Sequence, residues 1–116
     1  MKKKVSQTLE IGNFYENKAK EFLQAQGYEI IAQNYRFGKG EIDLIAQKGN
    51  WLIFVEVRYR QNTAFGFPEQ TISAKKKQLL RQTAENFIFE QNWQGNIRFD
   101  IIAISGNEQI EHFQDC

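Results

Sequence analysis

Asp43 and Glu56 are carboxylates standing where the surrounding sequence calls for apolar residues, and paired acids of this kind bind cations or share protons. They stand in Gly40–Arg60, GEIDLIAQKGNWLIFVEVRYR, among Ile42, Leu44, Ile45, Phe54, Val55 and Val57, which read as buried β-strand. If Gly49-Asn50 is a two-residue hairpin turn, the register follows. Lys48 then faces Trp51, Ala46 faces Ile53, Leu44 faces Val55, and Asp43 faces Glu56. Cβ atoms so placed lie about 5 Å apart, and facing like charges are destabilising. Strand alternation also puts Glu41 and Arg58 on the same face as the two acids.

Facing carboxylates need compensation. A shared proton is one answer, since the pKa of one member of such a pair rises. A hard cation, Mg²⁺ or Mn²⁺, is the other. Mg²⁺ binds through one or two carboxylates with waters and substrate phosphates, so two side chains and a strand carbonyl suffice. The plainer reading is a solvated face on which the acids pair with Arg58 and Arg60. The apolar residues on both strands weigh against an idle surface ribbon.

The elements that must position these groups follow from periodicity. Residues 8–26, TLEIGNFYENKAKEFLQAQ, predict a helix ended by Gly27, with Tyr15, Ala19, Phe22, Leu23 and Gln26 on one stripe and Glu16 at its edge. Residues 28–37 predict a strand, Gly38-Lys39-Gly40 a turn, and 41–47 and 51–59 two further strands. The segment 61–71, with the only proline, Pro68, reads as a loop. Residues 73–92 predict a second helix with Ser73 as N-cap and Leu79, Leu80, Ala84, Phe87 and Ile88 as its apolar stripe. Residues 96–105 predict a strand covered on both faces, and 109–113 a short last strand. The order α-β-β-β-α-β-β predicts an α/β fold, a mixed sheet flanked by helices. The strands on either side of the second helix are expected to be parallel, with a right-handed crossover.

The chain has 116 residues, enough for a single domain over 1–116 with one hydrophobic core. The formal net charge is +1, so any polyanion would have to meet a local basic patch rather than the bulk charge. The single cysteine, Cys116, excludes an internal disulfide and a zinc cluster, and favours a reducing, cytoplasmic setting. No apolar run approaches the roughly 20 residues of a membrane span, so no membrane contact is expected. The basic start, Met1-Lys2-Lys3-Lys4, lacks a following hydrophobic segment, and residues 1–7 read as a flexible tail rather than a signal.

Asp43, a spacer, then Glu56-Val57-Arg58 resembles the PD-(D/E)xK nuclease motif. More closely, the chain is similar to the YraN family of small proteins, which look like relatives of archaeal Holliday-junction resolvases. The resemblance runs from Gly12 and Glu16–Leu23 through Gly27-Tyr28, Asn34-Tyr35-Arg36 and Gly40–Ala46. It continues with Phe54–Val57, Arg60, Phe65-Gly66, Lys76 and Arg98-Phe99-Asp100. It implies a restriction-endonuclease-like fold, with Asp43 and Glu56 as ligands of Mg²⁺ or Mn²⁺. It puts Glu16 where related resolvases carry a helix-borne acid near the metal, against the alternative of an exposed acid paired with Lys20. Glu41, in the Gly-Glu-Ile-Asp signature, is a ligand or supports one. The chain departs from the motif at position 58, where Arg replaces Lys. Arginine keeps its proton and cannot be a general base, but it can stabilise transition-state charge.

Lys75, Lys76, Lys77 and Arg81 put four cations near the start of the second helix, against the helix dipole. A solvated face is the common meaning of such a run; a phosphate nearby would also explain it. Arg36, Lys39, Arg58 and Arg60 extend the patch. Phe65 and Phe67 could wedge between bases but read rather as core edge. His112 reads as exposed, and Asp100 as an ion-pair partner of Arg98. Three functions are in view: a Mg²⁺-dependent endonuclease on structured or branched DNA, a nucleic-acid-binding module that has lost catalysis, and a protein-interaction domain. Since related resolvases act as dimers, a homodimer is compatible with the first.

Overall fold

The computed structural model describes residues 7–60 and 73–116, with side chains from residue 13 onward. The basic start and the 61–71 loop, with Phe65, Phe67 and Pro68, lie outside the described residues.

Helix α1 spans Gln7–Ala25 and α2 spans Ala74–Gln91. Strands β1 (Glu29–Phe37), β2 (Gly40–Lys48), β3 (Trp51–Arg60), β4 (Asn96–Ser105) and β5 (Ile110–Phe113) form one sheet in that order. Only the β3–β4 pair is parallel. The α/β class, the mixed sheet and the order α-β-β-β-α-β-β are those the periodicity predicts, and each boundary falls within one residue of expectation.

The hairpin forms because Gly49 supplies the positive φ, 59°, that the first central residue of a tight turn needs. Lys48 pairs with Trp51, Ala46 with Ile53 and Leu44 with Val55, as the two-residue turn requires. Alternation then sorts the core onto two faces. Leu44, Ala46, Ile53, Val55, Ile102 and Ile104 pack with Ala19 and Leu23 of α1. Ile42, Ile45, Leu52 and Phe54 pack with Ala84 and Phe87 of α2. Tyr15 and Phe22 join the first cluster as predicted. Gln26 does not: α1 ends at Ala25, the chain reverses through Gly27 (φ 93°), and Gln26 is exposed. Its carbonyl oxygen accepts from Lys48 Nζ at 2.8 Å instead.

Helix α2 starts where Ser73 caps it. The Ser73 side chain accepts the Lys76 backbone N–H at 3.1 Å. The helix then lies close against the start of β2. A Cβ at Gly40 would stand 2.1 Å from Thr83 Oγ1 and 3.0 Å from the Leu79 carbonyl oxygen. Glycine is therefore required there by the approach of α2.

A carboxylate cluster at a strand distortion

Asp43 sits where β2 departs from regular pairing on both sides. Toward β1, the ladder passes from Gln33–Leu44 to Tyr35–Ile42 without pairing Asn34 with Asp43. Asn34 takes φ 52°, a left-handed conformation that Asn tolerates better than most residues. Toward β3, the ladder ends at Leu44–Val55, one pair short of the Asp43–Glu56 step that the turn register predicts. The Asp43 carboxylate instead takes the main-chain partner itself: Val57 N–H donates to Oδ2 at 2.8 Å. Strict alternation also fails here. Ile42 packs on the α2 face and Leu44, two residues on, packs on the α1 face.

This distortion leaves Asp43 half-buried among acids. Burial is the largest influence lifting its pKa from 3.8 to about 7, followed by the Glu56 charge. The Val57 N–H bond opposes the rise, and the charges of Glu16 and Glu41 add to it. Glu16, on α1, accepts from Asn34 Nδ2 at 3.1 Å. The left-handed residue of β1 thus also holds the helix-borne acid.

Two cations meet Glu56. Lys76 Nζ donates to Oε2 at 2.8 Å, and Arg58 Nε lies 3.8 Å from the same oxygen. An open cavity of about 380 Å³ covers the cluster, lined by Lys39, Glu41, Asp43, Glu56, Ser73, Lys75 and Lys76 among others. Among the described residues, no three His, Cys, Asp or Glu side chains are grouped so as to hold a metal by themselves.

The remaining basic residues separate. Lys77 and Arg81 border a neighbouring, mainly apolar pocket that shares Glu56 and Leu80 with the cavity. Arg36 pairs with its cross-strand neighbour Glu41 at 3.5 Å. Arg60 is committed to Glu111 of β5. The patch is therefore divided between the acid cavity, the apolar pocket and two ion pairs.

His112 is not exposed, as its place near the chain end suggested; its side chain is 8% accessible. Strand β5 pairs with β4, setting His112 Nε2 2.7 Å from Asp100 Oδ2. Asp100 also accepts from Arg98 through Nε at 2.9 Å and Nη2 at 2.8 Å, and from the Asp115 N–H at 3.0 Å. Arg98 in turn reaches Tyr28 Oη at 2.8 Å. Burial pushes the Asp100 pKa up, but the bonds from His112, Arg98 and Asp115 outweigh it and hold the acid below its ordinary value. Such a satisfied buried network reads as a clamp joining β4, β5 and the chain end. The Arg98–Asp100 ion pair expected from sequence is its centre.

From sequence, Lys76 is a cation of the second helix that could supply an ammonium, with nothing to place it at the site; the structure sets it on Glu56. Periodicity gives the helix face, but the contact depends on how closely α2 approaches β2. Gly40, buried against Thr83 and flanked by two strand segments, was the available signal.

No described helix is long and apolar enough to cross a membrane. The profile of the family described as "Uncharacterised protein family UPF0102" matches residues 15–104. A UPF0102 protein of Cytophaga hutchinsonii is 51% identical over 100 residues, covering 86% of this chain and 88% of that one. One from Sulfurihydrogenibium sp. is 44% identical over 90% and 91% of the two chains. One from Vibrio campbellii is 41% identical over 82% and 80%. Carried from the first helix to the fourth strand, through every element that shapes the acid cavity, this similarity makes the chain a member of the UPF0102, or YraN, family.

Proposed function

We propose that this protein is a metal-dependent endonuclease that hydrolyses phosphodiester bonds in structured or branched DNA. The observation that carries the reading is the set of acids at the β2 distortion. Asp43 is raised toward neutrality by burial and by Glu56, with Glu16 and Glu41 adding to the effect. A cluster that costs folding energy when charged is the arrangement a cation relieves.

The donor set fits Mg²⁺ or Mn²⁺. Carboxylate oxygens are the hard ligands these ions prefer, and two of them suffice when water and phosphate complete the shell. Asp43 and Glu56 would hold the ion, with Glu16 and Glu41 as acids close enough to be felt. A cation bound there supplies a Lewis acid that polarises the phosphoryl group and acidifies a bound water. Arg58, beside Glu56, places a permanent positive charge where a phosphorane-like transition state gains negative charge. Lys39, Lys75 and Lys76 line the same cavity and would take flanking phosphates. Arg36, Arg60, Lys77 and Arg81 surround it, and the two arginines would have to leave acidic partners to join.

One observation favours a second reading, a nucleic-acid-binding module that has lost catalysis: Arg58 stands where the motif has lysine. Cleavage of four-way junction, flap and linear DNA with Mg²⁺ or Mn²⁺ separates the two. The endonuclease cuts a structured substrate, and Asp43→Ala does not. Junction binding without cutting favours the module. Cutting that survives Asp43→Ala overturns the endonuclease.

A further inference from the structure

The departure at position 58 leaves the motif without an ammonium group. Helix α2 brings one back. Lys76 Nζ lies 2.8 Å from Glu56 Oε2, closer than the Arg58 nitrogen at 3.8 Å. We infer that Lys76, reaching in from α2, is the catalytic ammonium of this site and performs the role the motif assigns to position 58. The inference rests on the endonuclease reading.

The contact is held from several directions. The Ser73 cap bonds the Lys76 N–H, fixing the first turn of α2. The Lys77 N–H bonds the Ser73 carbonyl oxygen at 3.0 Å. Gly40 lets the next turns of α2 close onto β2. Glu56 is nearly enclosed, with 12% of its side chain accessible, so its partner is not an incidental surface pairing. Lys76 is 45% accessible and faces the open cavity. It also stands in a first helical turn that contains no acid, where a cation runs against the dipole. Lys75 lines the same cavity, yet the bond to Glu56 belongs to Lys76.

Two chemical differences favour the lysine. An ammonium is a compact charge on a flexible stem with three rotatable donors, whereas a guanidinium is a planar fork. Lys76 can therefore transfer from Glu56 to a phosphate oxygen without moving α2. Before the reaction it neutralises Glu56. Glu56 would hold a divalent cation in its place, and the Lys76 ammonium would then be free to donate to a non-bridging phosphate oxygen. In the hydrolysis a water oxygen forms a bond to phosphorus. One ester P–O bond breaks, and its electron pair leaves with the ester oxygen. Solvent accepts the proton from water and supplies one to the leaving oxygen. One water is consumed, giving a phosphomonoester and a free hydroxyl. Lys76 balances the negative charge gathering on the non-bridging oxygens and keeps all its protons.

The test compares wild type with Lys76→Met, Lys75→Met, Asp43→Ala and the double variant Lys76→Met/Arg58→Lys. Single-turnover cleavage, junction affinity and Mn²⁺ affinity by calorimetry are measured for each. Lys76→Met should slow cleavage by about 10²–10³, the usual effect of losing one donor to a developing oxyanion, and weaken junction binding no more than about fivefold. It should also tighten Mn²⁺ binding several-fold, because the ammonium no longer competes for Glu56; Lys75→Met, at a residue that lines the cavity as a phosphate contact, should weaken junction binding without tightening Mn²⁺. Restoring the motif lysine in the double variant should recover at least tenfold of the lost rate. Wild-type cleavage that Asp43→Ala abolishes and Lys76→Met leaves intact overturns this inference and spares the endonuclease. Equal effects of the Lys75 and Lys76 variants also overturn it, since they would mark a diffuse patch. A wild type that neither binds Mn²⁺ nor cuts overturns both.

Discussion

Replacing Asp43 by Asn should stabilise the metal-free protein at pH 8 and leave it unchanged at pH 3. In the folded chain burial, then Glu56, lift the acid to about 7 from its ordinary 3.8. Between those values the folded state keeps a proton that the unfolded state has lost, so folding takes up a proton. Stability from this group is complete below the unfolded pKa and is lost as pH rises through the folded one. About three pKa units at 1.36 kcal/mol each set a ceiling of roughly 4 kcal/mol. The half-buried site retains some solvent, so about 2 kcal/mol is the expected part. Asparagine removes the charge and keeps an oxygen to accept the Val57 N–H. For a chain of this size, that is a rise of about 8 °C in Tm.

The assay is denaturant unfolding in chelator across pH 3–8. Wild-type stability should fall between pH 4 and 7 relative to the Asn variant, and the two should converge at the acid end. Adding Mn²⁺ at 100 times Kd should restore about 2.7 kcal/mol to the wild type and little to the variant. Parallel profiles for the two proteins would refute the reasoning, because a neutral substitution that acts alike at every pH acts on packing and not on charge.

Gly40→Ala should cost about 2 kcal/mol or more, because the new Cβ meets Thr83 and the Leu79 carbonyl oxygen. It should also raise Mn²⁺ affinity, because displacing α2 draws the competing Lys76 ammonium away from Glu56; urea unfolding and calorimetry read the two effects. Asp100→Ala should cost about 3–5 kcal/mol by stranding Arg98 and His112, read as a lower urea midpoint. Asp100 has a depressed pKa, so its contribution is present above the unfolded pKa and is lost as pH falls through the folded one. Metal-free wild type should accordingly be most stable near pH 4, where the two losses meet, and Asp100→Ala should remove the acid-side fall. Lys77→Ala and Arg81→Ala should each lower the salt slope of junction binding by about one unit if they meet phosphates.

Much of the fold was legible because its signals are local. The alternation of β2 and β3, the Gly49-Asn50 turn and the Ser73 cap each determine structure within a few residues. The first two were enough to bring Asp43 and Glu56 to the same end of one hairpin. What was not legible depends on contacts between elements distant in sequence. His112 looked exposed because a short last strand near a chain end usually frays, whereas β5 pairs with β4 and buries it over Asp100. Lys76 could be named from sequence as a helix-borne ammonium, but not placed at the site, because its distance to Glu56 depends on the Gly40–Thr83 approach, which no periodicity reports.

The distortion at Asp43 links these observations. A regular hairpin would pair the Asp43 and Glu56 backbones, put the carboxylates side by side and satisfy the Val57 N–H through the main chain. In this chain Asn34 takes a left-handed φ, the β2–β3 ladder stops at Leu44–Val55, and Val57 finds its acceptor in the Asp43 side chain. That bond fixes one carboxylate oxygen, Oδ2. The same Asn34 holds Glu16 through its side-chain amide. One residue outside the motif therefore positions the helix-borne acid. Asn34→Ala would lose the amide bond and the left-handed preference together, loosening Glu16 while leaving every acid in place. The expected result is weaker Mn²⁺ binding by calorimetry with the Asp43 pKa drawn toward its ordinary value, because the Glu16 charge that adds to its rise is no longer held beside it.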